Sequence, residues 1–470
     1  MSTLMSEREG RLSKRLIYLY PLFISLCFLA ATPIAVIYTK EWDFFDNLVK
    51  ILTSPCKLVT DYFALGGLGS TLFNAAICGL LTNLIVYISR AKANATILAG
   101  YMLVVAHCFY GLNFLNMWPP LIGILLYCYV MKKKISENIH IAFFSTALAP
   151  FVSELCFRYA IENYSTSVIN VNWVGVALSL ICGLAIGFLI PALIPGTAAM
   201  HHGYSLYKAG LAIGILGIFL NAFMYTTLGI EKPVNSEIVN ESYYALPYGY
   251  RGFMNVFFIL LFLVTFIVGF ILNKKSIHGY GDLLQCTGHG TDFTDKFGMP
   301  VCMINISIYG LALLAYLNLI FILPSIFPGL PTGAGFTGAT AGIIFAALTF
   351  AADGQHIKNV FPIVVGYVAL FVLVVIICKA AGFDIPWTLS TQSYINSLAF
   401  ATGLCPLAGK YGFRYGVIAG FMSAVICAIT AEMHGGFVLY NGGFNAGLTA
   451  LVLIPILDFY NIKPVRESDV

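Results

Sequence analysis

Charge is scarce in this sequence. Asp, Glu, Lys and Arg make up 10% of its 470 residues, and 25 basic against 21 acidic side chains leave a formal net charge of +4. A soluble chain carries about 25% charged residues, so a soluble globular protein is excluded. A nucleic-acid binder is excluded too, because the positive residues cluster at the ends of apolar runs, where they set topology. Catalytic signatures are missing as well. There is no G-x-x-x-x-G-K-[ST] phosphate loop, no H-E-x-x-H, no G-x-S-x-G elbow and no dense Asp/Glu/His cluster. ATP-driven transport by this chain alone is not expected, and no catalytic or metal-binding residue is assigned. The 12 cysteines form no C-x-x-C pair and lie mostly inside apolar runs, which predicts buried free thiols rather than a disulfide framework. The roughly 10-residue segments of alternating polarity that build outer-membrane barrels do not occur.

What the chain has instead is apolar length. Hydrophobic residues are 59% of it, aromatic ones 14%, and the mean hydropathy is +0.87. A bilayer core about 30 Å thick is crossed by roughly 20 helical residues. Candidate spans are 15–39, 66–88, 95–113, 118–131, 138–155, 172–194, 208–229, 251–273, 301–323, 333–352, 360–383, 385–408, 415–431 and 444–460. The expected fold is an all-α polytopic membrane bundle of about 12–14 spans, several of them broken by glycine or proline and therefore open to being re-entrant. The run Leu16–Thr39 follows Arg8, Arg11, Lys14 and Arg15 and is read as a retained first helix, not a cleaved signal. Lys40–Tyr62 reads as an interfacial segment. Arg8–Arg15, Arg90/Lys92, Lys132–Lys134 and Lys274/Lys275 fall on one side if every early span crosses, which makes that side cytoplasmic, N-terminus included. His278, Asp282, Cys286, His289 and Asp292 fit no zinc spacing, so Lys274–Met299 is expected to be a flexible cytoplasmic loop. Asp353 and His356 read as a solvated turn, and Glu154 with Arg158 as an interfacial pair.

Several phrases occur twice. Gly67-Leu-Gly-Ser-Thr71 pairs with Gly333-Ala-Gly-Phe-Thr337, both G-x-G-x-T, at an offset of 266 that also pairs Gly100-Tyr101 with Gly366-Tyr367 and Pro120 with Pro386. Thr146–Pro150 pairs with Thr402–Pro406, and Gly183-x-x-x-Gly187-Phe188 with Gly416-x-x-x-Gly420-Phe421. Met200-His201-His202-Gly203 pairs with Met433-His434-Gly435-Gly436, each followed by a tyrosine, Tyr207 and Tyr440. The blocks keep their order, which predicts two duplicated halves. The division is a tail, first span and interfacial segment over 1–62, half A over 63–229, connecting spans and a loop over 230–328, half B over 329–460 and a tail over 461–470. Counting every candidate span between Leu68 and Ala334 makes the halves parallel; one re-entrant segment among them would invert them, and the sequence leaves that open.

The repeated residues supply the candidate site. A titratable ring at membrane depth needs a partner or a water-filled cavity, and broken segments at matching places in two halves mark a central binding site. His201, His202, Gly203 and Tyr207 in half A and His434, Gly435, Gly436 and Tyr440 in half B are therefore substrate-binding candidates. The plain alternative is interfacial, water-satisfied histidines and glycines that let helices approach. Gly67, Gly69, Thr71, Gly333, Gly335 and Thr337 offer a second pair of irregular turns with free backbone groups and a hydroxyl. Asn445 adds an amide where half A has Ala212. Histidine titrates near physiological pH, which makes His201 and His434 candidates for proton coupling.

The glycine-rich repeats and the M-H-x-G segments, over most of the chain, resemble an uncharacterised family of bacterial polytopic membrane proteins, a domain of unknown function. That resemblance implies membrane residence and no substrate. Gly443-Phe444-Asn445-Ala-Gly-Leu448 is also similar to the glycine–aromatic–asparagine stretch of urea transporters, which are duplicated as well; Gly210-Leu-Ala-Ile-Gly214 lacks the asparagine. The reading is a transporter or channel-like permease in the cell membrane for a small polar solute or ion, its pathway between the halves. The alternatives are a membrane-embedded enzyme using the histidines, or an accessory or sensor subunit. The expected partners are the lipid bilayer and the solute, with no cofactor and no nucleic acid, and a homo-oligomer is left open.

Overall fold

Apolar sequence at membrane depth must satisfy its backbone internally, and helices are how this chain does so. The computed structural model describes residues 7–57, 60–159, 169–231 and 249–466, and among these every regular element is a helix. From the N-terminus these are α1 (Glu7–Thr39), α2 (Phe44–Thr53), α3 (Tyr62–Ser89), α4 (Ala95–His107), α5 (Trp118–Val130), α6 (Ile135–Ser145), α7 (Ala149–Phe157), α8 (Trp173–Met200) and α9 (Lys208–Asn221). They continue as α10 (Gly249–Leu272), α11 (Met299–Ile326), α12 (Gly338–Ala347), α13 (Ile357–Ala381), α14 (Gln392–Ala401), α15 (Cys405–Tyr411), α16 (Phe413–Met433) and α17 (Asn441–Phe459). Among the described residues ten helical segments are long and apolar enough to cross a membrane, while the apolar helices α4, α5 and α12 are shorter. The protein is a multi-pass helical membrane protein. α2 buries Leu48 and Ile51 and leaves Phe45 and Val49 exposed, as an interfacial helix does.

Side-chain contacts fix the directions. Tyr18 near the start of α1 donates to the carbonyl of Ala91, just past α3 (2.5 Å), while Glu41 beyond the end of α1 accepts from the N–H groups of Leu68 and Gly69 near the start of α3 (2.7 and 2.8 Å). α1 and α3 are therefore antiparallel. Tyr250, at the start of α10, donates to Glu41 (2.8 Å), whereas the Met299 N–H, at the start of α11, donates to Ser13 (2.8 Å). Arg11, Lys14, Arg15, Arg90, Lys92, Lys274 and Lys275 consequently share one end of the bundle. On this basic side Arg466 also donates to the carbonyl of Gln285 (3.1 Å), which brings the C-terminal segment there too.

α3 thus starts opposite the basic side and α11 starts on it, yet the two make the same contacts. Asp61 caps α3 by accepting from the Phe63 N–H and also accepts the Gly338 N–H, the first of α12 (2.9 and 2.8 Å). Asp292 accepts from the Thr294 N–H and from the Ala95 N–H, the first of α4 (2.7 and 3.3 Å). The Tyr62 N–H donates to Phe109 O, and the Phe293 N–H to Ala352 O (3.2 and 3.1 Å). Asn74 donates to the carbonyls of Cys108 and Leu112 (3.0 and 2.9 Å), and Asn305 to those of Ala351 and Gln355 (2.7 and 2.8 Å). The halves are inverted. The even span count fails because it ended at Ala334, one span past the start of α11. α4, only 13 residues long, enters from the basic side and turns back into α5, which removes two spans and leaves the parity unchanged. α12 enters from the other side and packs antiparallel to α4, Gly342 lying on the carbonyl of Ala106.

This frame corrects part of the repeat pattern. The counterpart of Gly67 is Gly298: both have left-handed φ (76° and 82°), and a helix restarts after each. Gly333–Thr337 instead precedes α12, in the place of Arg90–Asn94 before α4, and Thr337 and Asn94 are the matching N-caps. Gly366 matches Gly123, not Gly100: Gly123 packs on Gly187 and Gly366 on Gly420. Pro386 has no role like that of Pro120, whose match is Ile363. Short glycine matches are cheap in a chain with 44 glycines, and the 266 offset was such a match. The pairings of Thr146–Pro150, Gly183–Gly187 and M-H-x-G do hold. The segment 230–328, read as a connector, contains α11, the counterpart of α3.

Two loops also differ from expectation. The stretch 285–292 is built into the protein: His356 Nε2 pairs with the Cys286 carbonyl (2.9 Å), and Gly288 lies against Gly354. His356 is accordingly buried, as the N-cap of α13, where Asn359 completes a capping box. A solvated turn would have left it exposed.

Candidate functional site

The two halves meet at the chain breaks that follow α8 and α16. Gly210 and Gly443 are equivalent, and they touch each other, so the pseudo-two-fold axis passes between them. Three residues earlier stand Tyr207 and Tyr440, their rings 5.4 Å apart at 72°. Tyr207 donates to the carbonyl of Ala346 (2.6 Å); the Tyr440 hydroxyl has no hydrogen-bond partner among the described residues. Phe400 packs on both rings (5.2 and 5.4 Å). Beside Tyr207 lies Phe350, and in the equivalent place beside Tyr440 lies His107 (4.8 and 6.2 Å).

The structure brings the tyrosines together and keeps the histidines apart. The break at 201–207 packs on Tyr411 and His289 of the basic side through Tyr204. The break at 434–440 packs on Phe151 and Tyr225, toward the other side, through Phe437. Both histidines are fully buried. His434 Nε2–H donates to Asn441 (2.8 Å), and His201 Nδ1 faces the Ser205 N–H at 3.5 Å. His202 is exposed, and its carbonyl accepts from His289 Nε2 (3.0 Å). Gly203, Gly435 and Gly436 have left-handed φ and make the turns.

The remaining candidates are structural in their contacts. A side chain on Gly67 would run into Glu41, which caps the restarted helix, one on Gly69 would run into Val36, and Thr71 donates to the carbonyls of Tyr62 and Gly67. Gly333 lies against Ser390, Gly335 has left-handed φ in the turn, and Thr337 donates to Gln392 (2.7 Å). Asn445 donates to Ser397 and to the carbonyl of Ser423 (2.6 and 3.0 Å).

A cavity of about 560 Å³ leads from the basic-side loop 289–292 to Tyr440 and Phe350. Its wall is polar where Thr96, His140, Lys208, His289, Asp292 and Asp353 face it, and apolar at Ile141, Phe144, Ile194 and Leu206. Burial pushes the Asp353 carboxyl up to about 8; nearby Asp292 adds to this and Lys208 opposes it. Lys208, Asp353 and Asp292 were not among the sequence candidates. One signal for Asp292 was legible: Thr60-Asp61-Tyr62 and Thr291-Asp292-Phe293 share Thr-Asp followed by an aromatic residue. Among the described residues no group of three or more His, Cys, Asp or Glu is placed to hold a metal ion.

Inverted repeats, half-length helices entering from both sides and breaks meeting on the axis define a duplicated multi-pass membrane protein. The chain belongs to the family described as "Protein of unknown function (DUF1576)", whose model matches residues 40–226 and again 272–459. The two matches are offset by 232 residues at their starts and 233 at their ends, close to the offsets of 231 and 233 that pair Asp61 with Asp292 and Tyr207 with Tyr440. No curated protein and no solved structure matches the chain.

Proposed function

We propose that this protein is a secondary transporter of the cell membrane that carries a small polar or ionic solute between its two halves by alternating access. The observation that carries this reading is the cavity that opens on the basic side and ends at Tyr440, beside the pseudo-two-fold axis. Inverted halves can exchange conformations, and the exchange turns a cavity open to one side into one open to the other around the same central point. By the positive-inside rule the basic side is cytoplasmic, so this conformation faces inward. Tyr207, Tyr440 and Phe400 are its closed gate. The chain acts as a carrier and not as a catalyst.

The test is flux into liposomes holding the purified protein, with organic anions, amino acids, amides and inorganic ions as solutes. Selective, saturable flux in the wild type, altered by Tyr440→Ala, is the expected result. Folded protein that moves none of these solutes would overturn the reading.

A further inference from the structure

The inner cavity carries charge that the duplication does not account for. Lys208 occupies the place of Asn441, Asp353 that of Tyr110, and His140 that of Asn396. In half B, Asn441 accepts from His434 and Asn396 accepts from Gln392, so these positions there are spent on structure. Lys208 is spent on nothing: among the described residues its ammonium has no ion pair or hydrogen bond. Asp353 likewise has no ion pair and no side-chain hydrogen bond there. Asp292 differs from both, because it accepts from three backbone N–H groups and the Thr294 hydroxyl.

The position of Lys208 is itself informative. It is the first residue of α9, where the helix dipole is positive and disfavours a cation. Helix stability therefore does not explain it, and the dipole and the ammonium instead add up to one positive focus on the cavity wall. Around it the wall is apolar at Phe350 and Leu206, and His140 and His289 add ring nitrogens. A positive focus above an apolar floor suits an anion with an apolar body.

We propose that the cavity binds a small organic carboxylate, that Lys208 receives its carboxylate group, and that Asp353 takes up a proton from the basic-side solvent together with it. This rests on the transport reading and names its substrate class. The proton enters because an anion beside Lys208 cancels the charge that favours an ionised Asp353, and because two carboxylates in one cavity repel. The titratable groups that line the cavity with Asp353 are Lys208 on α9, Asp292 and His289 on the basic-side loop, His140 on α6 and Tyr440 before α17; His356 on its own segment is held by the Cys286 carbonyl. The balance is one anion bound and, where Asp353 starts ionised, one proton taken up with it; the anion itself is not chemically changed.

The experiment is calorimetric binding to the purified full-length protein in detergent. The probes are benzoate and hexanoate, with benzamide and hexylamine as neutral and cationic controls, each in two buffers of different ionisation enthalpy. The carboxylates bind and the controls do not. Lys208→Met weakens binding by about 10- to 100-fold, the worth of a charge-assisted hydrogen bond, and Lys208→Arg restores most of it. Affinity falls as pH rises through about 8, where Asp353 ionises, and binding above that pH takes up a proton. Asp353→Asn binds with no proton uptake and no such fall. Preferential binding of benzamide or hexylamine, or carboxylate binding that ignores Lys208→Met in a protein with unchanged melting behaviour, would overturn the proposal. Carboxylate binding without flux in liposomes would sink the transport reading alone. Flux of neutral solutes without carboxylate binding would sink the carboxylate alone.

Discussion

Half A and half B share a skeleton and differ in what lines it. Gly123 on Gly187 and Gly366 on Gly420 are one helix crossing made twice, and Gly183 on Pro119 is repeated as Gly416 on Pro362. Asn116 and Asn359 each donate to a glycine carbonyl in their own break, Gly111 and Gly354 (2.9 and 2.8 Å). Around the central tyrosine pair the match stops at three positions: His107 against Phe350, Lys208 against Asn441, Tyr110 against Asp353. Close backbone approach and capped helix ends are demanded by a fold that packs in lipid without a hydrophobic driving force between helices, so both halves keep them. The cavity lining is under no such demand, and the chemistry sits where the halves disagree.

The largest effects should come from breaking the shared skeleton. A Cβ on Gly187 would lie 2.1 Å from the Pro120 carbonyl oxygen, and one on Gly420 2.2 Å from that of Ile363. Both obstacles are backbone, which cannot rotate aside, so Gly187→Ala and Gly420→Ala should each cost about 1–3 kcal/mol or more. Thermal unfolding in detergent checks this. Near-equal losses support the inverted frame; tolerance in one half and collapse in the other would break it.

The cross-half caps come next. Asp61→Ala and Asp292→Ala each free the first N–H of the partner half's short helix, a loss of about 0.5–2 kcal/mol per cap. Asp61 also adds a pH dependence. Burial raises its carboxyl from the usual 3.8 to about 6, against the pull of the N–H groups of Gly338, Phe63 and Ala64. The folded protein therefore favours the protonated acid more than the unfolded chain does. That contribution is present below about pH 4 and is lost as pH rises through about 6. Asp61→Asn should remove this slope between pH 4 and 7 in the melting profile while keeping the fold, and an unchanged slope would assign it to another group.

Much of the skeleton was legible. The long apolar runs placed the crossing helices, the basic clusters placed their ends, and the M-H-x-G and G-x-x-x-G phrases found two of the matching segments. The direction of the halves was not legible, because the glycine match paired Gly67 with Gly333, one span past its true counterpart Gly298; α4 and α12 are also apolar enough to pass for spans, and only their contacts show that they stop short. Polar residues were the better guide throughout. In a chain with 10% charged residues, the twin phrases around Asp61 and Asp292 and the paired asparagines at 74 and 305 carry more information than any glycine pattern. Lys208 and Asp353 were hard to see for the opposite reason: with no twin in the other half, neither repeats.

The smallest expected effect separates two residues that are twins. Tyr207 and Tyr440 are equivalent, buried and in contact, but only Tyr207 has an acceptor, the carbonyl of Ala346. Tyr207→Phe deletes that bond and leaves the carbonyl unserved, which costs about 0.5–1.5 kcal/mol. Tyr440→Phe deletes a hydroxyl that is buried without a partner, so its stability should hold or rise slightly. Tyr440 lines the cavity, and its unserved donor is available to a bound solute. The two variants should therefore sort oppositely: Tyr207→Phe lowers the melting temperature with little change in solute affinity, and Tyr440→Phe weakens affinity with the melting temperature unmoved. Equal behaviour in both measurements would mean that the twins still do the same work, and that the asymmetry of the halves begins farther from the axis, at Lys208 and Asp353.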